Sequence, residues 1–189
     1  DTPDCQCSIA LYSGDMIGGI LHEFSGVTGV CTLLRPESRG WVRIRSADPR
    51  QAPAINPNYL ASQKDRDVIV AGVQALRQIF RAPAMARYVD HEIEPGDATQ
   101  SYDEVLDFIR QRGSTTYHPV STCRMGQDTR AVVDERLRVR GLEGLRVIDA
   151  SIMPAVVSGN TNAASIMIGE KGADMVMEDA RAVTVARAA

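Results

Sequence analysis

Leu145-Arg146-Val147-Ile148-Asp149-Ala150-Ser151-Ile152-Met153-Pro154, then Ser158-Gly159-Asn160-Thr161-Asn162-Ala163 and an apolar stretch to Met177, is the part of the sequence that decides the fold. Residues 145–149 form a compact apolar run ending in an acid, the pattern of a buried strand. Residues 154–162 read as a loop. From about Ala163 to Met177 the side chains are apolar on most sides through Ile168, so the segment predicts a helix that needs burial. Asn160 or Asn162 is suited to cap it. The residues after Glu178 are expected to fray.

Upstream, Tyr117 to Met125 carries His118-Pro119 and is amphipathic in neither period. Residues 132–134 and 137–139 are short strand candidates. The first half reads as strands and turns, then helices. Residues 5–11 alternate, placing Cys5, Cys7, Ile9 and Leu11 on one strand face. Residues 27–34 and 41–45, separated by Arg35-Pro36-Glu37-Ser38-Arg39-Gly40, suggest a hairpin. Ser62 with Asp65 three residues on offers a weak capping box for a helix carrying Val68, Ile69, Gly72, Val73, Leu76 and Ile79, closed by Pro83. Ser101 with Glu104 offers a second box, followed by Val105, Leu106, Phe108 and Ile109. The fold class expected is α+β: an antiparallel sheet flanked by helices, with a C-terminal strand and helix of α/β type.

Composition narrows the function. The 189 residues carry a formal net charge of −3 with both signs mixed, which excludes the basic stripe of a nucleic-acid surface. No apolar run approaches the ~20 residues of a membrane-spanning helix. Cys5 and Cys7 are too close for the usual zinc knuckle and no second Cys/His pair follows, so no metal site is expected. Of three histidines, His22 and His91 lie beside Glu23 and Glu92 in polar surroundings and read as surface residues. His118 sits in an irregular segment dense with hydrogen-bonding side chains, where rigid scaffolds tend to place reactive groups. The Ala163 helix start, with its free N–H groups, is either a plain cap or a site for negative charge.

The ordered series Tyr117-His118-Pro119-Val120-Ser121-Thr122-Cys123-Arg124-Met125-Gly126, Val132-Val133-Asp134, Leu137-Arg138-Val139-Arg140-Gly141, Gly144 to Pro154, Ser158 to Ala163 and Ile166 to Lys171 resembles the C-terminal region of the glucose–methanol–choline (GMC) oxidoreductases. It is most similar to the choline dehydrogenase and bacterial alcohol dehydrogenase branch. Leu34 to Gly40, Ser46 to Pro49 and Asn56 to Tyr59 resemble the same family's substrate domain.

The resemblance implies an FAD-dependent oxidation of a primary alcohol, with proton abstraction and hydride transfer to flavin N5. It implies that residues 1–116 are the later part of a substrate-binding domain. Residues 117–189 would then be an active-site segment returning into the FAD-binding domain. His118 matches the active-site histidine and Asn160 its partner. Asp149, Ala150, Asn160, Thr161 and Asn162 match positions beside the cofactor, and Tyr117 the pocket wall. An imidazole, with an ordinary pKa of about 6.5, suits proton acceptance, and a neighbouring amide can hold the developing alkoxide. The helix end at Ala163 would favour the charge of reduced flavin.

The family's Gly-x-Gly-x-x-Gly dinucleotide turn is absent, so the main FAD-binding half is expected to lie outside this chain, and the isolated chain is expected to bind FAD weakly or not at all. Exposed apolar faces would then favour a homo-oligomer. Oxygen or a quinone-type carrier would take the electrons. Localisation is expected to be cytoplasmic, with membrane association of a full-length protein left open. Two alternatives stand: a hydrolase using His118 with Cys123, or Ser121 with Asp149, and a non-enzymatic binding or assembly module.

Overall fold

The computed structural model describes residues 2–15 and 19–188, with side chains through 182. The chain divides into two compact units: Asp1–Trp41 with Ala54–Thr116, and Val42–Pro53 with Tyr117–Ala189. Helices and small antiparallel sheets are mixed, as the α+β reading expected. No helix among the described residues is long and apolar enough to cross a membrane.

In the first unit, β1 (Cys5–Ala10) pairs antiparallel with β4 (Thr28–Leu33), and β2 (Gly14–Asp15) with β3 (Ile20–Leu21). The short strand β5 (Trp41–Arg43) begins at the last residue of the first segment, with Val42 and Arg43 in the second unit, and β6 (Ala54–Asn56) lies in the first. The expected hairpin between 27–34 and 41–45 does not form. The ladder of β4 is taken by β1, and the intervening loop is drawn elsewhere: Glu37 N–H and Ser38 N–H both donate to the Asp65 carboxylate, each at 2.8 Å. Leu11 lies outside β1 and is 87% exposed, so it does not share the face of Cys5 and Cys7.

The same loop contact explains why Ser62 and Asp65 make no capping box. Helix α1 (Gln63–Arg81) starts after Ser62, yet Ser62 makes no side-chain cap bond; its hydroxyl meets Glu37 instead. Asp65 is buried, and its carboxyl is held below the usual range. Burial alone would raise it, but the hydrogen bonds from Ser38 and Glu37 outweigh that effect. Pro83 ends α1 and begins α2 (Pro83–Ala86), where a proline at the first helical position costs nothing. Helix α3 (Tyr102–Arg112) has the full capping box: Glu104 N–H donates to Ser101 Oγ, and Ser101 N–H to the Glu104 carboxylate. Val70, Val105 and Leu106 make the small core that joins α1 to α3.

The second unit is built on Val133, Leu137, Ile152, Met153 and Ile168, with Val120, Ile148, Ala150, Ala164 and Met175 packed around them. Residues 132–147 form no continuous strand. Isolated bridges join Met125 to Val133, Val133 to Val139 and Arg138 to Arg146. Backbone bonds from Val139 to Leu145 and from Val147 to Leu137 hold residues 145–147 extended.

The last helix, α4 (Asn162–Ala188), runs past Glu178 rather than fraying there. Its final residues are helix-compatible, and no Gly or Pro follows Gly172. A clamp also holds this part. Arg136 donates to Met175 O, Glu178 and Asp179, and Arg146 also binds Asp179. At Gly172 the α4 backbone approaches Ile148 so closely that a Cβ would collide with it. The helix buries Ile168 and leaves Ile166 and Met167 more than half exposed.

Candidate active site

Two loops of the second unit meet at His118. The first, residues 117–123, is held in place by its flanks. Val120 packs against the core, Ser121 Oγ donates to Met153 O at 2.8 Å, and Cys123 N–H donates to Ser151 O at 3.0 Å. The second loop, residues 154–161, ends where α4 begins. Thr161, rather than Asn160 or Asn162, occupies the cap position. Its carbonyl accepts the first helical bond, from Ser165 N–H at 2.9 Å.

Both ring nitrogens of His118 are engaged across 42 and 43 residues of sequence. Asn160 Nδ2 donates to His118 Nε2 at 2.7 Å, and His118 Nδ1 lies 2.9 Å from Thr161 Oγ1. With Nε2 accepting, the neutral ring carries its proton on Nδ1 and donates it to Thr161. Thr161 is buried, His118 half-buried and Asn160 exposed. The arrangement sets Nε2 on the exposed side, its lone pair accepting from Asn160, and fixes the ring from the buried side.

Backbone strain gathers on the same loops. Tyr117, Ser121 and Ser158 have φ of 59°, 77° and 59°, in the left-handed region that non-glycine residues seldom adopt. Each such residue costs on the order of 1–3 kcal/mol and persists only where surrounding structure holds it, which is common at functional sites.

The structure brings His118, Asn160 and Thr161 together, with Asn162 opening the helix beside them. Tyr117 is adjacent and 80% exposed. Asp149 and Ala150 have structural tasks. Asp149 caps the 3₁₀ turn Ala150–Ile152 by accepting from Ser151 N–H at 2.7 Å, and Ala150 packs on the core. Thr161 as the Nδ1 partner of His118 was not foreseen. Its place next to Asn160 was the one available sequence signal.

The hydrolase alternative loses its geometry. Ser121 is bonded to a backbone carbonyl, Asp149 to a backbone N–H, and the His118 ring nitrogens meet Asn160 and Thr161, not a Cys or Ser nucleophile. His22 and His91 are exposed, as their polar neighbours suggested; His22 meets Ser13 Oγ at 3.1 Å and stacks on Phe24.

Comparison with known proteins defines the class. The GMC oxidoreductase family model, for the family's C-terminal portion, matches residues 36–169. The chain belongs to the GMC oxidoreductase family. It is 51% identical over 148 residues to an alcohol dehydrogenase [acceptor] of Pseudomonas putida, covering 78% of this chain and 27% of that protein. It is 48% identical over 143 residues to an oxygen-dependent choline dehydrogenase of Escherichia coli O45:K1, covering 76% of this chain and 25% of that protein.

Among solved structures it is similar to pyridoxine 4-oxidase from Mesorbium loti, with a TM-score of 0.86 and 31% identity over 94% of this chain and 35% of the other. It is also similar to an FAD-dependent oxidoreductase from Chaetomium thermophilum, with a TM-score of 0.77 and 31% identity over 82% of this chain and 27% of the other. The chain thus spans about a quarter of the length of these two sequence relatives.

Proposed function

We propose that this chain supplies the proton-handling and substrate-facing part of an FAD-dependent alcohol oxidoreductase that converts a primary alcohol, choline-like or other, to its aldehyde. The observation that carries the reading is the His118 imidazole held between Thr161 Oγ1 and Asn160 Nδ2. Residues 1–116 serve as the later part of the substrate domain, and residues 117–189 as the active-site segment that returns into the flavin domain. Tyr117 lines the substrate pocket.

The alcohol hydroxyl enters at the exposed side, between Asn160 and His118. It replaces their mutual contact, accepting from the Asn160 amide and donating to His118 Nε2. His118 takes the hydroxyl proton, and the resulting imidazolium keeps its Nδ1–H on Thr161. Asn160 holds the oxygen as negative charge develops on it. The ring is fixed through Thr161 before substrate arrives, so only the exposed Asn160 amide has to turn aside to admit the hydroxyl.

The residues present suit FAD. The first backbone N–H groups of α4 have no partner one turn back, and the exposed amides of Asn160 and Asn162 stand beside them. That donor set matches the oxygen-rich pyrimidine edge of a flavin, and Thr161 and Asn162 would hold it there, with Asp149 and Ala150 supporting the wall of the site. When bound, FAD supplies the two-electron acceptor for the hydride leaving the carbinol carbon. Oxygen or a quinone-type carrier would be the final electron acceptor.

The test is turnover by an intact protein carrying this segment, with a panel of primary alcohols and an artificial electron acceptor. Aldehyde formation that is lost in His118→Ala and weakened in Asn160→Ala is expected. An enzyme that oxidises no alcohol, or whose turnover survives His118→Ala, refutes the reading.

A further inference from the structure

The two-stranded ladder of the first unit gathers three cysteines that the proposed chemistry does not use. The antiparallel register sets Cys7 directly opposite Cys31, and Cys5, two residues before Cys7, lies on the same face. The three Sγ atoms lie within 4.8 Å of one another, and none is in a disulfide. Cys123, the fourth cysteine, belongs to the other unit.

Packing accounts for part of this cluster only. Helix α1 crosses the ladder at Gly72, where a Cβ would collide with Cys31 Sγ and lie 3.8 Å from Cys5 Sγ. A small, soft side chain at position 31 is therefore needed for the helix to approach. Cys7 is exposed, so burial gives no reason for a sulfur there. The three side chains converge on one point, and packing under α1 accounts for the two half-buried ones, Cys5 and Cys31, but not for Cys7.

We propose that Cys5, Cys7 and Cys31 bind a single soft d¹⁰ cation of the Zn²⁺/Cd²⁺ class as a three-thiolate site. Thiolates select such ions over harder ones. With metal–sulfur bonds of about 2.3 Å, tetrahedral ligands sit roughly 3.8 Å apart. Sulfurs already within 4.8 Å reach that spacing through side-chain shifts of about 1 Å or less. Among the described residues no fourth Cys, His, Asp or Glu joins the cluster, so water completes the tetrahedron at the open side, beside Cys7.

The balance of the step is simple. Three thiols lose three protons, and the divalent cation with three thiolates carries one net negative charge. Metal must displace those protons, and affinity therefore rises with pH.

The experiment is titration of the reduced chain with Cd²⁺ alone, read by ultraviolet cadmium–thiolate charge-transfer absorption and by proton release. One equivalent saturates the wild-type band, with tighter binding at higher pH. Loss of an outer-shell partner already costs 10–100-fold in metal affinity, so Cys7→Ser, which loses a ligand, weakens binding by at least about 100-fold. Cys7 is exposed, so this variant keeps its fold, checked by circular dichroism. Cys123→Ser titrates like the wild type. A wild-type chain with no saturable band overturns the site, as does a band retained in Cys7→Ser or one lost in Cys123→Ser.

Discussion

Thr161→Val separates the positioning of His118 from its chemistry. Valine matches threonine in shape and lacks only the hydroxyl, at a residue that is 7% exposed. In the native site the Thr161 oxygen accepts from Nδ1–H at 2.9 Å, so the ring presents a lone pair at Nε2. A hydrogen bond of this kind contributes about 0.5–1.5 kcal/mol net. Its loss shifts the tautomer ratio by about 2- to 12-fold, since ~1.4 kcal/mol is a factor of ten.

The proton then moves toward Nε2, where Asn160 can turn its carbonyl oxygen to accept it. The ring now offers an N–H where substrate requires a base. Long-range ¹H–¹⁵N correlation of the His118 ring, on the chain itself and above the imidazole titration, reads this directly. The wild type gives a pyridine-type Nε2, and Thr161→Val moves that signal toward the pyrrole type. A wild-type ring protonated on Nε2, or an Nε2 signal unmoved by the substitution, refutes the assignment of Thr161.

Gly172→Ala places a Cβ into Ile148 and costs about 1–3 kcal/mol by overpacking, whereas Gly169→Ala, with nothing within 4 Å, is neutral or gains up to about 1 kcal/mol; equal urea midpoints for the two would contradict the packing. Ser101→Ala removes the cap of α3 and costs about 0.5–2 kcal/mol, seen as faster amide exchange over Tyr102–Arg112; unchanged exchange would count against the capping box. Asp128 is held at about 2 by hydrogen bonds from Arg124 and the Arg130 N–H. Its folded-state value lies below the unfolded value of about 3.9, so its contribution is complete above about pH 5 and lost as pH falls toward 2. Thermal midpoints of the wild type and Asp128→Asn should therefore differ by a constant amount above pH 5 and converge in acid; a gap that widens in acid has the wrong sign.

What the sequence disclosed depended on how local each interaction is. The Ser101–Glu104 box spans three residues and forms as its spacing indicates. Ser62 and Asp65 have the same spacing, but Asp65 is recruited by the backbone of Glu37 and Ser38, a tertiary contact that spacing cannot reveal. The hairpin expectation failed for the same reason, because β4 had a partner in β1 that periodicity does not identify. Fraying after Glu178 was inferred from composition, and the Arg136 and Arg146 clamp on Asp179 lies more than thirty residues away in sequence.

At the site, the linked motifs singled out His118 and Asn160, while the Thr161 contact needed the two loops folded together. The cysteine spacing considers one strand, whereas the third sulfur arrives across the ladder.

The most direct measurement is the anaerobic rate of flavin bleaching by a primary alcohol in an intact enzyme carrying this segment, compared with its His118→Ala variant at equal flavin loading. A general base of this kind contributes typically 10²–10⁴-fold. The account predicts a loss of about that size, with flavin content and fold retained. An unchanged rate would contradict the role of His118 and with it the central claim.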